Sequence, residues 1–263
     1  MKRIFLVMAA IAISIGMVVL VSHRTPSVAT AAVPPAAVTP APAMEAAAAP
    51  PSSGNLGPAA AYVEGQSYRR VRQPTPIDNP RQVKVEEFFW YGCPHCFHME
   101  SLLKDWLPSL PADARFVRVP DNLGLPVGLI HQRAFYAARD LGIEDRIHLP
   151  LMTGLIVQHL SLVTPQAIAS FVATQTQVTS TAFNSQYQSF VVAGETDKAS
   201  ELALQYGITS VPSIVVGGKY LVDSDLPGLS GGNDDESARF QHMLEIARYL
   251  IDQTRAEQAP AQQ

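Results

Sequence analysis

The order of apolar segments predicts an α/β protein whose sheet-and-helix core is interrupted by an all-helical insertion. Three observations carry this prediction. An apolar strand runs straight into a Cys-x-x-Cys pair that opens a helix. A long stretch of helical patterns follows. Two short strands around a Gly-Gly pair then precede a last amphipathic helix.

Residues 1–24 read as a signal peptide or membrane anchor. Lys2 and Arg3 precede an uncharged apolar run from Ile4 to Ser22, the pattern of an export signal. That run is nearly long enough to span a bilayer, and the small residues Ala29-Thr30-Ala31 lie some way beyond it. Both a cleaved signal and a retained anchor fit. Residues 25–60 are nearly all Ala, Pro, Val, Ser and Thr, which bury too little surface to offset chain entropy. They read as an extended, semi-rigid linker.

Folded sequence begins near Tyr62. Val83 to Trp90 is β-branched and aromatic and reads as a buried strand that runs into Gly92-Cys93-Pro94-His95-Cys96. Phe97, Leu102, Leu103 and Trp106 then recur at helical spacing, up to a stop near Pro108. Arg115 to Val119 alternates as a second strand. From Pro126 to Val192 the patterns are helical, with breaks expected at Gly142, Pro150 and Pro165 and with Phe135, Leu141, Leu151, Leu155 and Phe171 as core. Thr196 to Tyr206 is a further helix closed by Gly207. Ser213–Val216 and Tyr220–Val222 flank Gly217-Gly218 as a hairpin, and Asp234 to Ile251 is the last helix. This is a thioredoxin-type order, with residues 61–125 and 193–256 as the thioredoxin-like domain and 126–192 as the helical insertion.

The composition narrows the function. Net charge is −4 with no basic stripe, which disfavours nucleic acid as a partner. The chain has two cysteines, three positions apart, too few for a disulfide-stapled scaffold or a four-ligand zinc site. Redox chemistry, an incidental short-loop disulfide and half of a metal site remain. The redox reading places Cys93 at the start of a helix, where free N–H groups and the helix dipole favour the thiolate. Pro94 suits the first helical position, and His95 adds a positive charge or a hydrogen bond. Cys96, one turn on, is close enough to attack a mixed disulfide on Cys93. Each pKa unit by which Cys93 falls below ambient pH stabilises the reduced form by about 1.4 kcal/mol, or about 30 mV. Three units would give roughly 4 kcal/mol. A stabilised thiolate therefore makes the site a donor of disulfides.

The segment Glu87 to Cys96, with its Pro-His dipeptide between the cysteines, resembles the active-site segment of the DsbA family of periplasmic dithiol oxidases. The resemblance extends from about Tyr62 to Leu250. It implies a strongly acidic Cys93 and a cis proline at Pro212 within Thr209-Ser210-Val211-Pro212, with the Val211 backbone pairing with a substrate strand. A plain strand-start proline is the alternative. It also implies that Glu87 is an acid beneath the site that exchanges protons as Cys96 changes state; otherwise Glu87 lies at a solvated strand edge. Arg118 stands where the family has a lysine, and Arg cannot release a proton, which favours a fixed ion pair.

The implied activity is introduction of disulfides into exported proteins in the periplasm, without a cofactor or metal. Implied partners are reduced or unfolded exported proteins and a DsbB-like membrane oxidase, and a monomer is expected. Rival readings are a disulfide isomerase, a cytochrome-maturation thiol reductase, a metal carrier using Cys93, Cys96, His95 and His98, and a non-catalytic peptide binder. His98, His131, His148 and His159 read as solvated or core polar residues. Asp234, Asp235 and Glu236 read as charge at a helix start.

Overall fold

A computed structural model describes residues 62–229 and 235–258. The expectations for residues 1–60, and for Asp234, lie outside them. The described residues belong to one compact unit. In chain order they form β1 (Arg69–Arg70), β2 (Val83–Phe89), α1 (Pro94–Trp106), a 3-10 turn (Leu107–Ser109), β3 (Ala114–Pro120), α2 (Pro126–Asp140), α3 (Glu144–Ile156), α4 (Pro165–Gln175), α5 (Ser180–Tyr187), α6 (Phe190–Tyr206), β4 (Ser213–Val216), β5 (Tyr220–Asp223) and α7 (Glu236–Gln258).

The strands form one sheet in the order β1-β5-β4-β2-β3. β3 runs parallel to β2, while β4 lies antiparallel on its other side. β2 is thus central, which explains why every residue but Lys84 along it is buried, Glu86 and Glu87 included. Period-two alternation puts Val83, Val85 and Glu87 on one face. Val83 and Val85 pack there with Met99 and Leu103 of α1 and with Phe240, Met243 and Leu244 of α7. Glu87 therefore lies beneath α1. The β4–β5 connection is three residues, and Gly217 and Gly218, at φ +61° and +63°, are the left-handed central pair of the turn closed by the Lys219 N–H on the Val216 carbonyl.

Helices α2 to α5 and the start of α6 build the core of the insertion around Phe135, Ile147, Leu151, Ile168, Phe183 and Val192. Side-chain oxygens of Thr164, Thr179 and Ser189 accept N–H bonds at the starts of α4, α5 and α6.

Three boundaries differ from the sequence expectation. Pro150 lies inside α3 rather than ending a helix. Burial of Ile147, His148, Leu151 and Met152 on that helix offsets the lost backbone bond. α6 begins at Phe190, so the junction between insertion and returning core falls within one continuous helix. α7 runs on to Gln258, its last turns held by Leu250, Ile251 and Thr254 in the core. No helix among the described residues is long and apolar enough to cross a membrane.

Candidate active site

The site forms where β2 hands over to α1. Cys93 is the N-cap residue of α1, with extended backbone (φ −94°, ψ 116°), and Pro94 follows at the first helical position. The Cys93 N–H donates to the Trp90 carbonyl at 3.0 Å, closing the turn. Gly92 is required within it. A Cβ there would lie 2.4 Å from the Trp90 ring. Gly92→Ala is accordingly expected to cost about 1–3 kcal/mol in urea unfolding. A loss of less than about 0.5 kcal/mol would mean that the ring yields freely.

Cys93 and Cys96 are both free thiols, and their surroundings differ. Cys93 is 7% exposed, at the rim, and Cys96 is fully buried. A hydrogen bond from the Cys96 thiol, N–H groups of Cys96 and His95, and the charge of His95 together lower the Cys93 pKa to about 6, against the opposing effect of burial. Burial, followed by the neighbouring Cys93 sulfur, pushes the Cys96 thiol well up. The protonated Cys93 thiol donates instead to the Val211 carbonyl, 3.6 Å away. The Val211–Pro212 bond is cis. The loop before β4 thus presents a backbone acceptor beside the outer sulfur.

Beneath α1, Glu87 is fully buried, not at a solvated edge. Neither of its oxygens has a hydrogen-bond partner among the described residues. Burial, and then the charge of Glu100, raise its pKa to about 8. Arg118 approaches Glu87 at 3.6 Å, but its hydrogen bonds go to Glu100 at 3.3 and 3.1 Å. His148 bonds the same Glu100 at 2.8 Å. The ion pair between Glu87 and Arg118 expected from sequence is present, but Arg118 is shared with a second carboxylate, Glu100. Burial raises the Glu100 pKa, but the bonds from His148 and Arg118 outweigh it and hold it low. A groove of about 780 Å³ between α1 and α3, lined by Phe97, Glu100, Arg118, His148 and Leu149, opens this cluster to solvent. Arg118→Met should destabilise the fold by about 3 kcal/mol, because it takes the guanidinium away from the buried Glu100 carboxylate. Urea unfolding at neutral pH checks this, and a loss under about 1 kcal/mol would show that the cluster carries little stability.

On the outer side of α1, His95 bonds one oxygen of Glu236, and His98 bonds the other at 2.7 Å. Ser237 meets the second nitrogen of His98 at 2.8 Å. His98 is thus engaged rather than simply solvated, and Glu236 does more than complement a helix dipole. Among the described residues, no group of three or more His, Cys, Asp or Glu is arranged to hold a metal ion.

Sequence reasoning placed Cys93, Pro94, His95, Cys96, Glu87, Val211 and Pro212 in one site, and the fold brings them together. It missed Glu100, His148 and Glu236. Glu100 had a weak signal, because it lies four residues past Cys96, on the same face of α1. The other two arrive from distant helices, and no local pattern announces them.

No family model matches the chain. Curated relatives do. A thiol:disulfide interchange protein DsbA of Pseudomonas aeruginosa is 36% identical over 195 residues, covering 74% of this chain and 87% of that protein. The chain belongs to the DsbA family. A DsbA of Azotobacter vinelandii is 35% identical over 196 residues, covering 74% of this chain and 85% of the relative. The crystal structure of Pseudomonas aeruginosa DsbA superposes with a TM-score of 0.66 at 35% identity, covering 74% of this chain and 96% of that one. As a DsbA-family member, the chain is a thiol:disulfide oxidoreductase with a thioredoxin-like fold and a helical insertion.

Proposed function

We propose that this oxidoreductase donates its Cys93–Cys96 disulfide to reduced proteins exported to the periplasm. The observation that supports this best is the asymmetry of the pair: an outer sulfur at a helix start beside the Val211 carbonyl, and an inner sulfur sealed in the core. A substrate thiolate attacks Cys93 Sγ and breaks the Cys93–Cys96 bond, forming a mixed disulfide. Cys96 leaves with the electron pair and takes a proton, because its burial disfavours the anion. Glu87, with a pKa near 8, is protonated at neutral pH and is the buried carboxyl whose charge acts on the Cys96 thiol. A second substrate thiolate then attacks the substrate's own sulfur. The substrate gains a disulfide, and Cys93 leaves as a thiolate. Two electrons move to the enzyme. His95 and Pro94 support that thiolate, while Val211 and Pro212 offer the backbone on which an extended substrate lies.

A Cys93 pKa of about 6 lies one unit below pH 7. That stabilises the reduced enzyme by about 1.4 kcal/mol, or about 30 mV, relative to an ordinary thiol. In this reading residues 1–24 direct export, residues 25–60 form the linker, residues 61–125 and 193–256 carry the site, and residues 126–192 frame it. Reoxidation falls to a DsbB-like membrane oxidase, and the working form is a monomer.

Equilibration of the purified protein with glutathione tests the direction of reaction. The expected reduction potential lies above about −180 mV, the level of a protein disulfide isomerase. A potential near about −270 mV, that of thioredoxin, would favour the reductase reading instead.

A further inference from the structure

We infer that His131 is a positioning residue for the reactive turn: it braces Trp90 from the helical insertion and thereby fixes the backbone that holds Cys93. The inference rests on the reading of Cys93 as the reactive thiolate. His131 lies on α2 and is 2% exposed. The Trp90 Nε1–H donates to His131 Nδ1 at 3.0 Å. Indole N–H can only donate, so Nδ1 must be unprotonated. The proton is then on Nε2, which donates to the Leu162 carbonyl at 2.9 Å. Both ring nitrogens are committed, and the tautomer is fixed by its partners. Burial also lowers the His131 pKa, which favours the same neutral ring.

The other end of this chain of contacts is the reactive turn. The two rings stack at 6.1 Å with 28° between planes. The Trp90 ring covers the space that a Cβ on Gly92 would need. The Trp90 carbonyl accepts the Cys93 N–H. A rotation of the Trp90 ring therefore disturbs the residue next to Cys93 and the carbonyl that orients its N–H. The thiolate depends on the direction of N–H groups at the start of α1, so a looser turn holds it less well. The brace runs from the Leu162 carbonyl, between α3 and α4, through His131 and Trp90 to the sulfur. Among the described residues, Tyr91 is the titratable side chain in ring contact with His131, at 6.3 Å.

The test is a double-mutant cycle with His131→Phe and Trp90→Phe, plus His131→Asn, whose amide oxygen can take the place of Nδ1 as acceptor. Two quantities are read in the full-length protein: the thiolate titration of Cys93 and the rate of disulfide transfer to a reduced peptide. H131F is expected to raise the titration midpoint by at least half a unit and slow transfer about five-fold or more. H131N should stay within two-fold of wild type. W90F should behave as H131F does, and the double variant should be no worse than either single one. If H131F fails to fold, W90F against H131N carries the same comparison, because W90F removes the donor and keeps a ring. Wild-type activity with H131F and W90F both unchanged, or additive effects in the double variant, would overturn the brace alone. Wild-type protein that transfers no disulfide would overturn the functional reading and the brace with it.

Discussion

Cys93→Ser should abolish disulfide transfer, and Cys96→Ser should convert the protein into a trap that accumulates mixed disulfides with its substrates. The asymmetry of the pair dictates the difference. Cys93 is the sulfur within reach of another chain, and without it no mixed disulfide can form. Cys96 is fully buried one turn along α1. In the proposed cycle it leaves when the mixed disulfide forms, and it attacks Cys93 again, releasing the substrate thiol, when that intermediate reverses. In reduced C96S, Cys93 remains competent to pair with an oxidised partner, but no neighbouring sulfur can resolve the product. Loss of the reacting sulfur should slow transfer by more than about a thousand-fold. Refolding of a reduced test protein measures the first effect, and non-reducing electrophoresis measures the second. A C93S variant that retains a tenth of wild-type activity would place the chemistry elsewhere.

The second large effect concerns Glu87. In the reduced protein its folded pKa of about 8 stands above the ordinary 4.5. Between those values the folded state binds more protons than the unfolded chain. Stability must therefore fall as pH rises, by about 1.4 kcal/mol per unit, and the penalty is complete above pH 8. Below about pH 4.5 both states are protonated and no penalty applies. Across the window the difference is on the order of 4 kcal/mol. Glu87→Gln removes the titrating group. Urea unfolding of wild type and E87Q from pH 5 to 8, with both cysteines held reduced, should give curves that diverge with rising pH in favour of E87Q. Other titrating groups are common to both proteins and largely cancel in the difference. Parallel curves would mean that Glu87 is ionised throughout, with Arg118 compensating it fully.

These effects explain which parts of the molecule could be read from its sequence. β2, α1 and the β4–β5 hairpin were legible because each has a strong local cause: a buried central strand, Pro94 at a first helical position, and paired glycines in the left-handed region. β1 was not, since Arg69-Arg70 has no strand pattern of its own and is extended by pairing with β5. Pro150 misled because packing of α3 outweighs a local propensity. The two sulfurs and the loop at Pro212 could be placed from motif and order. The environment of Glu87 could not. An Arg at position 118 suggested one ion pair, but Glu100 and His148 compete for the same charges from other helices. The clasp of His95 and His98 on Glu236 was hidden for the same reason: its partners lie 141 and 138 residues apart. Long-range polar contacts leave no periodic trace, whereas apolar faces do.

The proposed function stands on one property, the acidity of the outer sulfur. Following thiolate absorbance while reduced C96A and reduced wild type are titrated measures it directly. Wild type is expected to show one thiolate appearing with a midpoint about 6, and loss of the Cys96 thiol as hydrogen-bond donor in C96A is expected to move that midpoint upward. A wild-type midpoint at the ordinary thiol value of 9.0 would contradict it.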